Sequence, residues 1–419
     1  MRVLLVSEDL PGERIGGLAK HVVTLGNALL DRGHDVTILG RSDRSGRNDR
    51  NDRDGTGCAR QIGFAGRFLP GFDYAHPGWK EAQLGIFNPL KRPWFARKIA
   101  RAIARHAGSA DVVHYHGHLP MVGMYLDPRT NFVQTRHDQG SECVIHLRFK
   151  DGAVCGELEA RACAGCAHPR PGPLRTLVSA QAVARYRLDT AHAFARHKTI
   201  FVSDFLRRQF LRALPGADLA RARVIHNFID YGKLAARAAR AGPPRAGQVL
   251  VAGRIDTGKG FGEFLAAVER RLPSGARVLV VGDGPGRAAL EARFAGEQVA
   301  FLGWRAGPEV AALTATSHVC VVPSVWEEPC GTTILEALAL GRPCVALARG
   351  GNPELAAYEA WPGQLRLSPA MDGLAGNLLA ALAQPAGPAS VQPQLQSQAP
   401  GMDVFQALPR ILEVYAHPA

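Results

Sequence analysis

Two runs of alternating strand and helix, parted by one segment rich in proline, glycine and alanine, limit this chain to few architectures. Short apolar or β-branched segments at 2–6, 35–39, 111–115, 132–135, 199–202 and 223–225 read as buried strands. Helical patterns at 18–31, 93–107, 174–194 and 204–214 fall between them. Residues 238–248 interrupt the pattern, and it restarts with strand candidates at 249–252, 277–281, 299–302, 319–322 and 344–347. Such βα alternation predicts parallel, doubly wound sheets. At 419 residues the chain has room for two cores. The expected domains are 1–237, with an insertion at 139–173, and 248–384. A last amphipathic helix within 403–419 is expected to return to the first domain.

Apolar residues make up 46% and charged residues 21%, ordinary values for a globular protein. No apolar run is long enough to span a bilayer, and the first strand begins at Met1 without a signal-peptide layout, so a cytoplasmic protein is expected. The net charge of +13 suits an anionic ligand or surface. The arginines are spread along the chain and no nucleic-acid motif accompanies them, so no nucleic-acid partner is expected.

The chemistry concentrates after the strand at 319–322. The stretch Pro323-Ser324-Val325-Trp326-Glu327-Glu328-Pro329-Cys330-Gly331-Thr332-Thr333-Ile334-Leu335-Glu336 passes through a glycine-containing turn into a helix. A helix entry at Gly331 leaves backbone N–H groups without partners, and with the helix dipole these attract a phosphate. Glu328 then lies on the loop and Glu336 on the helix. Upstream, Gly253-Arg254-Ile255-Asp256-Thr257-Gly258-Lys259 places an arginine and a lysine after a strand. A planar fork and a point charge together suit a diphosphate. Gly16-Gly17 follows the first strand and Val281-Gly282-Asp283-Gly284 a later one, and both glycine turns allow close backbone approach to an anion. Thr135-Arg136-His137-Asp138 and His114-Tyr115-His116-Gly117-His118 end two first-domain strands. The alternate spacing of the latter three histidines puts them on one face, as cleft-lining groups or metal ligands.

The spacing of Glu328 and Glu336, the preceding Pro-Ser and the following Gly-Arg-Pro-Cys-Val-Ala resemble the family 4 retaining glycosyltransferases. That resemblance covers nearly the whole chain and implies the GT-B fold, two Rossmann-like domains facing across a cleft. It implies that Gly16, Gly17 and Gly282 line the donor cleft and that Arg254 and Lys259 bind the diphosphate. It further implies that Glu328 and the backbone of Cys330, Gly331, Thr332 and Thr333 hold the sugar and phosphate, and that Glu336 holds the ribose. Arg305 falls in the base-contacting region, where Trp304 packs on the base or in the core. His137 matches a histidine that touches the donor sugar. Cys330 departs from the bulky apolar residue usual there. The implied donor is a UDP- or GDP-sugar, without a catalytic metal, and the acceptor is a glycan, a lipid-linked sugar or a small molecule. An epimerase, a phosphorylase and a non-catalytic sugar-nucleotide or metal sensor remain alternatives.

Cys143, Cys155, Cys163 and Cys166 fall close together in the insertion. In a reducing compartment they suit a structural zinc, or else an iron–sulfur cluster, and His146 and His168 are substitutes for one thiolate. The basic amphipathic segment 93–105 reads as a covering helix with a solvated face or as a peripheral membrane contact. The polar tract 42–57 contains Asp52-Arg53-Asp54, and its low complexity makes that carboxylate pair a chance spacing.

Overall fold

The structure is a computed structural model that describes residues 1–10, 16–41, 56–72, 88–167, 172–387 and 402–416. Asp52, Asp54 and His168 lie outside them.

The chain divides into two compact units. The first comprises 1–148, 156–226 and 407–419, and the second 149–155 and 227–406. In chain order the first unit begins with β1 (Arg2–Val6), α1 (Gly17–Asp31), β2 (Asp35–Arg41), α2 (Thr56–Ile62), β3 (Arg67–Phe72), α3 (Arg92–Ala107), β4 (Val112–Tyr115) and β5 (Phe132–Arg136). A small antiparallel pair follows in the chain, β6 (Phe149–Lys150) with β7 (Ala153–Val154), which belongs to the second unit. Then come α4 (Ala160–Ala167), α5 (Pro173–Arg196), β8 (Lys198–Phe201), α6 (Asp204–Ala213) and β9 (Ala222–Val224). The sheet runs β3-β2-β1-β4-β5-β8-β9, parallel throughout.

In the second unit the order is α7 (Tyr231–Ala238), β10 (Gln248–Ala252), α8 (Phe261–Val268), β11 (Arg277–Val281), α9 (Arg287–Phe294), β12 (Val299–Gly303) and α10 (Gly307–Thr316). It continues with β13 (Val319–Val322), α11 (Thr332–Ala339), β14 (Cys344–Leu347), β15 (Leu365–Ser368) and α12 (Met371–Leu382). The parallel sheet runs β12-β11-β10-β13-β14-β15. A last helix, α13 (Val404–Ala416), starts in the second unit and ends in the first. Both sheets have the strand order of a doubly wound nucleotide-binding fold.

The unit boundary falls at His226/Asn227, ahead of the segment 238–248 that composition singles out. Hydrogen bonds explain the difference. Asn227 Nδ2 donates to Cys330 O at 3.2 Å, Tyr231 N donates to Asp403 Oδ1 at 3.0 Å, and Ile229 pairs with Asp403 in a β-bridge. Strands β3 and β15 carry no clear pattern in the sequence. β3 contains a proline and a glycine, and β15 alternates polar and apolar residues at the sheet edge.

α3 covers the first sheet. Phe95, Ala96, Ile99, Ala100, Ala102 and Ile103 join one apolar core with Leu4, Val113 and Phe132, while Arg97, Arg101 and Arg105 stay exposed. Among the described residues no helix is long and apolar enough to cross a membrane.

Candidate functional site

In the second unit, strand order reverses between β10 and β13. Ligands of open α/β sheets bind beyond the carboxyl ends of strands at such a point. Arg254 and Lys259 sit in the loop after β10, and Glu328 in the loop after β13. Gly260 joins the two loops. Its φ is +68°, and a Cβ there would lie 2.1 Å from the Pro323 carbonyl oxygen, so only glycine lets the loops meet. The contact brings Lys259 to Glu328, with Nζ donating to Oε1 at 2.5 Å.

Glu328 Oε1 accepts two further bonds, from Ser324 Oγ at 2.6 Å and Trp326 Nε1 at 2.9 Å. Burial pushes this carboxyl up, but Lys259 and the two neutral donors outweigh burial and hold it below the usual carboxylate range. It is therefore ionised and fixed in direction. Arg254 is different. Its side chain is 62% exposed and donates from Nε to Asp256 Oδ2 at 2.5 Å.

α11 begins at Thr332 with Gly331 as its N-cap, which offers no side chain to its first N–H groups. The end of this helix, with Thr333 in its first turn, is thus open to an anion. Glu336 follows one turn on and is half-buried. Cys330 is buried, and burial pushes its thiol up to about 12, so it presents its backbone rather than a thiolate. Gly282 follows β11, and its N–H donates to Gly303 O at 2.9 Å. Arg305 is exposed beyond β12, 3.8 Å from Glu309, and Trp304 beside it is exposed too.

In the first unit a second set of groups gathers at the carboxyl ends of β1, β4 and β5. Gly16 and Gly17 open α1. A Cβ on either would meet no described atom within 4 Å, so no described neighbour demands glycine there. His21, on the next turn of α1, meets His116 and His137, and one nitrogen of each lies within 4.8 Å of the others. Burial pushes His21 down to about 3, and burial with the neighbouring rings holds His116 and His137 well below the usual imidazole range. These three are neutral at neutral pH. Behind them, His114 Nδ1 lies 2.7 Å from Tyr415 Oη and Nε2 lies 2.7 Å from Thr135 Oγ1.

Asp138 follows His137 and organises a separate network. Its carboxylate meets Arg136 Nη2 at 3.0 Å, His118 Nδ1 at 2.8 Å and His146 Nδ1 at 3.1 Å. His118 Nε2 also lies 3.0 Å from Asp9. Burial pushes His118 down, but Asp9 and Asp138 outweigh it and hold the ring well above its usual value, protonated. Arg92, fully buried at the start of α3, donates to the carbonyls of Gly140, Cys143 and Val144 and so pins the loop after β5.

The cysteines do not assemble as a four-thiolate site requires. Among the described residues no group of three ligand atoms within 4.8 Å includes a cysteine. Cys143 lies in the loop after β5, and burial pushes its thiol up to about 11. Cys163 is buried on α4 and accepts from Arg187 Nη2 at 3.2 Å, and Cys166 lies one turn further along the same helix. Cys155 belongs to the second unit. As placed, these residues do not fit a structural zinc.

Sequence reasoning gives His21 only as a side chain facing the cleft or water, and it passes over Arg92 and Glu8. Glu8 is wholly buried and accepts from Tyr115 Oη at 2.5 Å. In the sequence Glu8 stands out only as an acid two residues beyond the apolar strand β1. Nothing local marks Arg92 as buried, because its partners lie far along the chain.

Two family models match. "Glycosyltransferase Family 4" covers residues 15–233 and "Glycosyl transferases group 1" covers residues 246–383. The sulfoquinovosyl transferase SQD2 of Arabidopsis thaliana is 38% identical over 114 residues, which are 27% of this chain and 22% of that enzyme. A glycogen synthase of Mycobacterium tuberculosis is 27% identical over 370 residues, 84% of this chain and 80% of its own. Among solved structures, a sucrose-phosphate synthase of Thermosynechococcus elongatus superposes with TM-score 0.68 at 21% identity, covering 99% of this chain and 98% of its own. Anabaena HepE in complex with UDP-glucose superposes with TM-score 0.61 at 18% identity, covering 99% and 98%.

Proposed function

The chain belongs to Glycosyltransferase Family 4 and has the GT-B fold, and from that premise we propose that it moves a sugar from a nucleoside-diphosphate donor to an acceptor hydroxyl with retention of configuration. The observation that carries this reading is the fixed Lys259–Glu328 pair beside the uncapped start of α11. A diphosphate arriving there finds an ammonium, the exposed Arg254 fork and free helix N–H groups. All three stabilise negative charge that grows as the sugar leaves. Glu328, ionised and held by three donors, orients the sugar hydroxyls, and Glu336 accepts from the ribose hydroxyls. The leaving phosphate takes the acceptor's proton on the same face, which keeps the anomeric configuration. His137 approaches the donor sugar as a neutral imidazole. Positive groups thus perform the work for which other transferases use a metal. The complex of HepE with UDP-glucose supports UDP as the carrier, with GDP as the alternative.

The test pairs binding with turnover. UDP, GDP, ADP, CDP and dTDP are compared for their effect on the melting temperature, and the responding nucleotide's sugars are then offered with acceptors. One nucleotide should stabilise the protein. Lys259→Ala and Arg254→Ala should each weaken that binding about tenfold or more with the fold retained. Wild-type transfer by both variants would remove this donor site. Sugar product formed without an acceptor would point to an epimerase instead.

A further inference from the structure

We propose that His21, His116 and His137 form a three-imidazole site for one borderline divalent cation, Zn2+ fitting best, with a fourth coordination position left open. The three rings come from α1 and from the residues that follow β4 and β5, so rigid elements of one unit carry them. His116 Nδ1 and His137 Nε2 are 3.1 Å apart. Two nitrogens on a tetrahedral zinc, each about 2.0–2.1 Å from the metal, stand about 3.3 Å apart. One ligand nitrogen of each of the three rings lies within 4.8 Å of the others. The His21 ring meets that of His137 edge-on at 4.6 Å and that of His116 at 5.4 Å. His116 is wholly buried, and its Nε2 has no hydrogen-bond partner among the described residues.

Other groups nearby are already committed. The two nitrogens of His114 face Tyr415 and Thr135, so it supports the His116 ring, 4.0 Å away between centroids, and is not a fourth ligand. The neighbouring set His118, Asp138 and His146 has similar spacing but the wrong company. Arg136 donates to Asp138, and Arg92 Nη2 lies 2.9 Å from His146 Nε2. Two guanidinium groups on those ligands oppose a cation. Three imidazoles without a carboxylate select Zn2+, Co2+ or Ni2+ over Mg2+ or Ca2+. An open fourth position makes such a site exchangeable. If His137 also touches the donor sugar, occupancy by the cation and transfer are mutually exclusive, and Zn2+ inhibits.

The experiment titrates the untagged, metal-stripped full chain with Co2+ and follows its ligand-field absorption. One equivalent should give the intense bands of tetrahedral cobalt, and Zn2+ should bleach them. His21→Ala and His116→Ala should each weaken Co2+ uptake at least about tenfold. Their circular dichroism, and the stabilisation by a nucleoside diphosphate in the other unit, should be unchanged. His21→Gln, which keeps the side-chain bulk, serves if an alanine variant does not fold. No uptake by the wild type, undiminished uptake by all the folded variants, or sulfur-to-cobalt charge-transfer bands that survive them would each overturn the proposal. Failure of the nucleotide reading alone leaves the cobalt result standing, so the two ideas fall separately.

Discussion

Glu8 shows what burial does to a group that remains ionisable. Its Oε2 has no partner, and Gly117 packs against it so closely that a Cβ would fall 1.7 Å from that oxygen. Burial raises its carboxyl to about 6 against the opposing pull of His118 and the Tyr115 hydroxyl. A raised acid favours the protonated fold. Its stability is complete below the ordinary value near 4.5 and declines as pH rises through about 6. Glu8→Gln, neutral throughout, should therefore stabilise the protein by about 2 kcal/mol above pH 7 or so and have little effect below about pH 4.5. Denaturant melts across that range check it, and an equal effect at both ends would refute it. Glu328 has the opposite sign. Its carboxyl is depressed, so its ion pair contributes above the ordinary value and is lost as pH falls.

The helices divide by what their ends and faces do. α3 buries one face in the sheet, with Arg92 buried at its start, and leaves Arg97, Arg101 and Arg105 exposed. α11 starts at a glycine N-cap, Gly331, that offers its first turn no side-chain hydrogen bond. α13 ends against the first sheet, where Tyr415 is buried with its hydroxyl on His114 and its carbonyl accepting from Asn131 Nδ2 at 3.0 Å. Tyr415→Phe should leave a buried imidazole nitrogen unpaired and cost about 1–3 kcal/mol. Chemical denaturation measures this, and a change under a few tenths of a kcal/mol would mean that the bond contributes nothing net.

Two sheets with separate cores, one around Leu4, Ile99 and Phe132 and the other around Val249, Phe264 and Leu378, make single-step unfolding an unsafe expectation. Calorimetry should resolve two transitions. A saturating nucleoside diphosphate should raise one of them, and Lys259→Ala should abolish that rise. A single transition, shifted as a whole, would show the two units unfolding together. The net charge of +13 belongs to the chain as a whole.

The sequence by itself determined the strand–helix alternation, the two sheets and which loops of the second unit carry the residues proposed for the donor. Each depends on contacts within a short stretch: β-branched runs form strands, and Arg254, Lys259, Glu328 and Gly331 sit at strand ends by their position alone. Only the tertiary structure decided where the first unit ends, since that depends on Asn227 and Tyr231 bonding far along the chain. It also decided the fate of the cysteines. Their spacing suits a metal, but Cys163 lies against Arg187, and among the described residues no group of three ligand atoms within 4.8 Å includes a cysteine. The histidine set is the converse case. His21, His116 and His137 are remote in sequence and meet because β1, β4 and β5 are adjacent in the sheet, and strand order is a property of packing that no local pattern encodes.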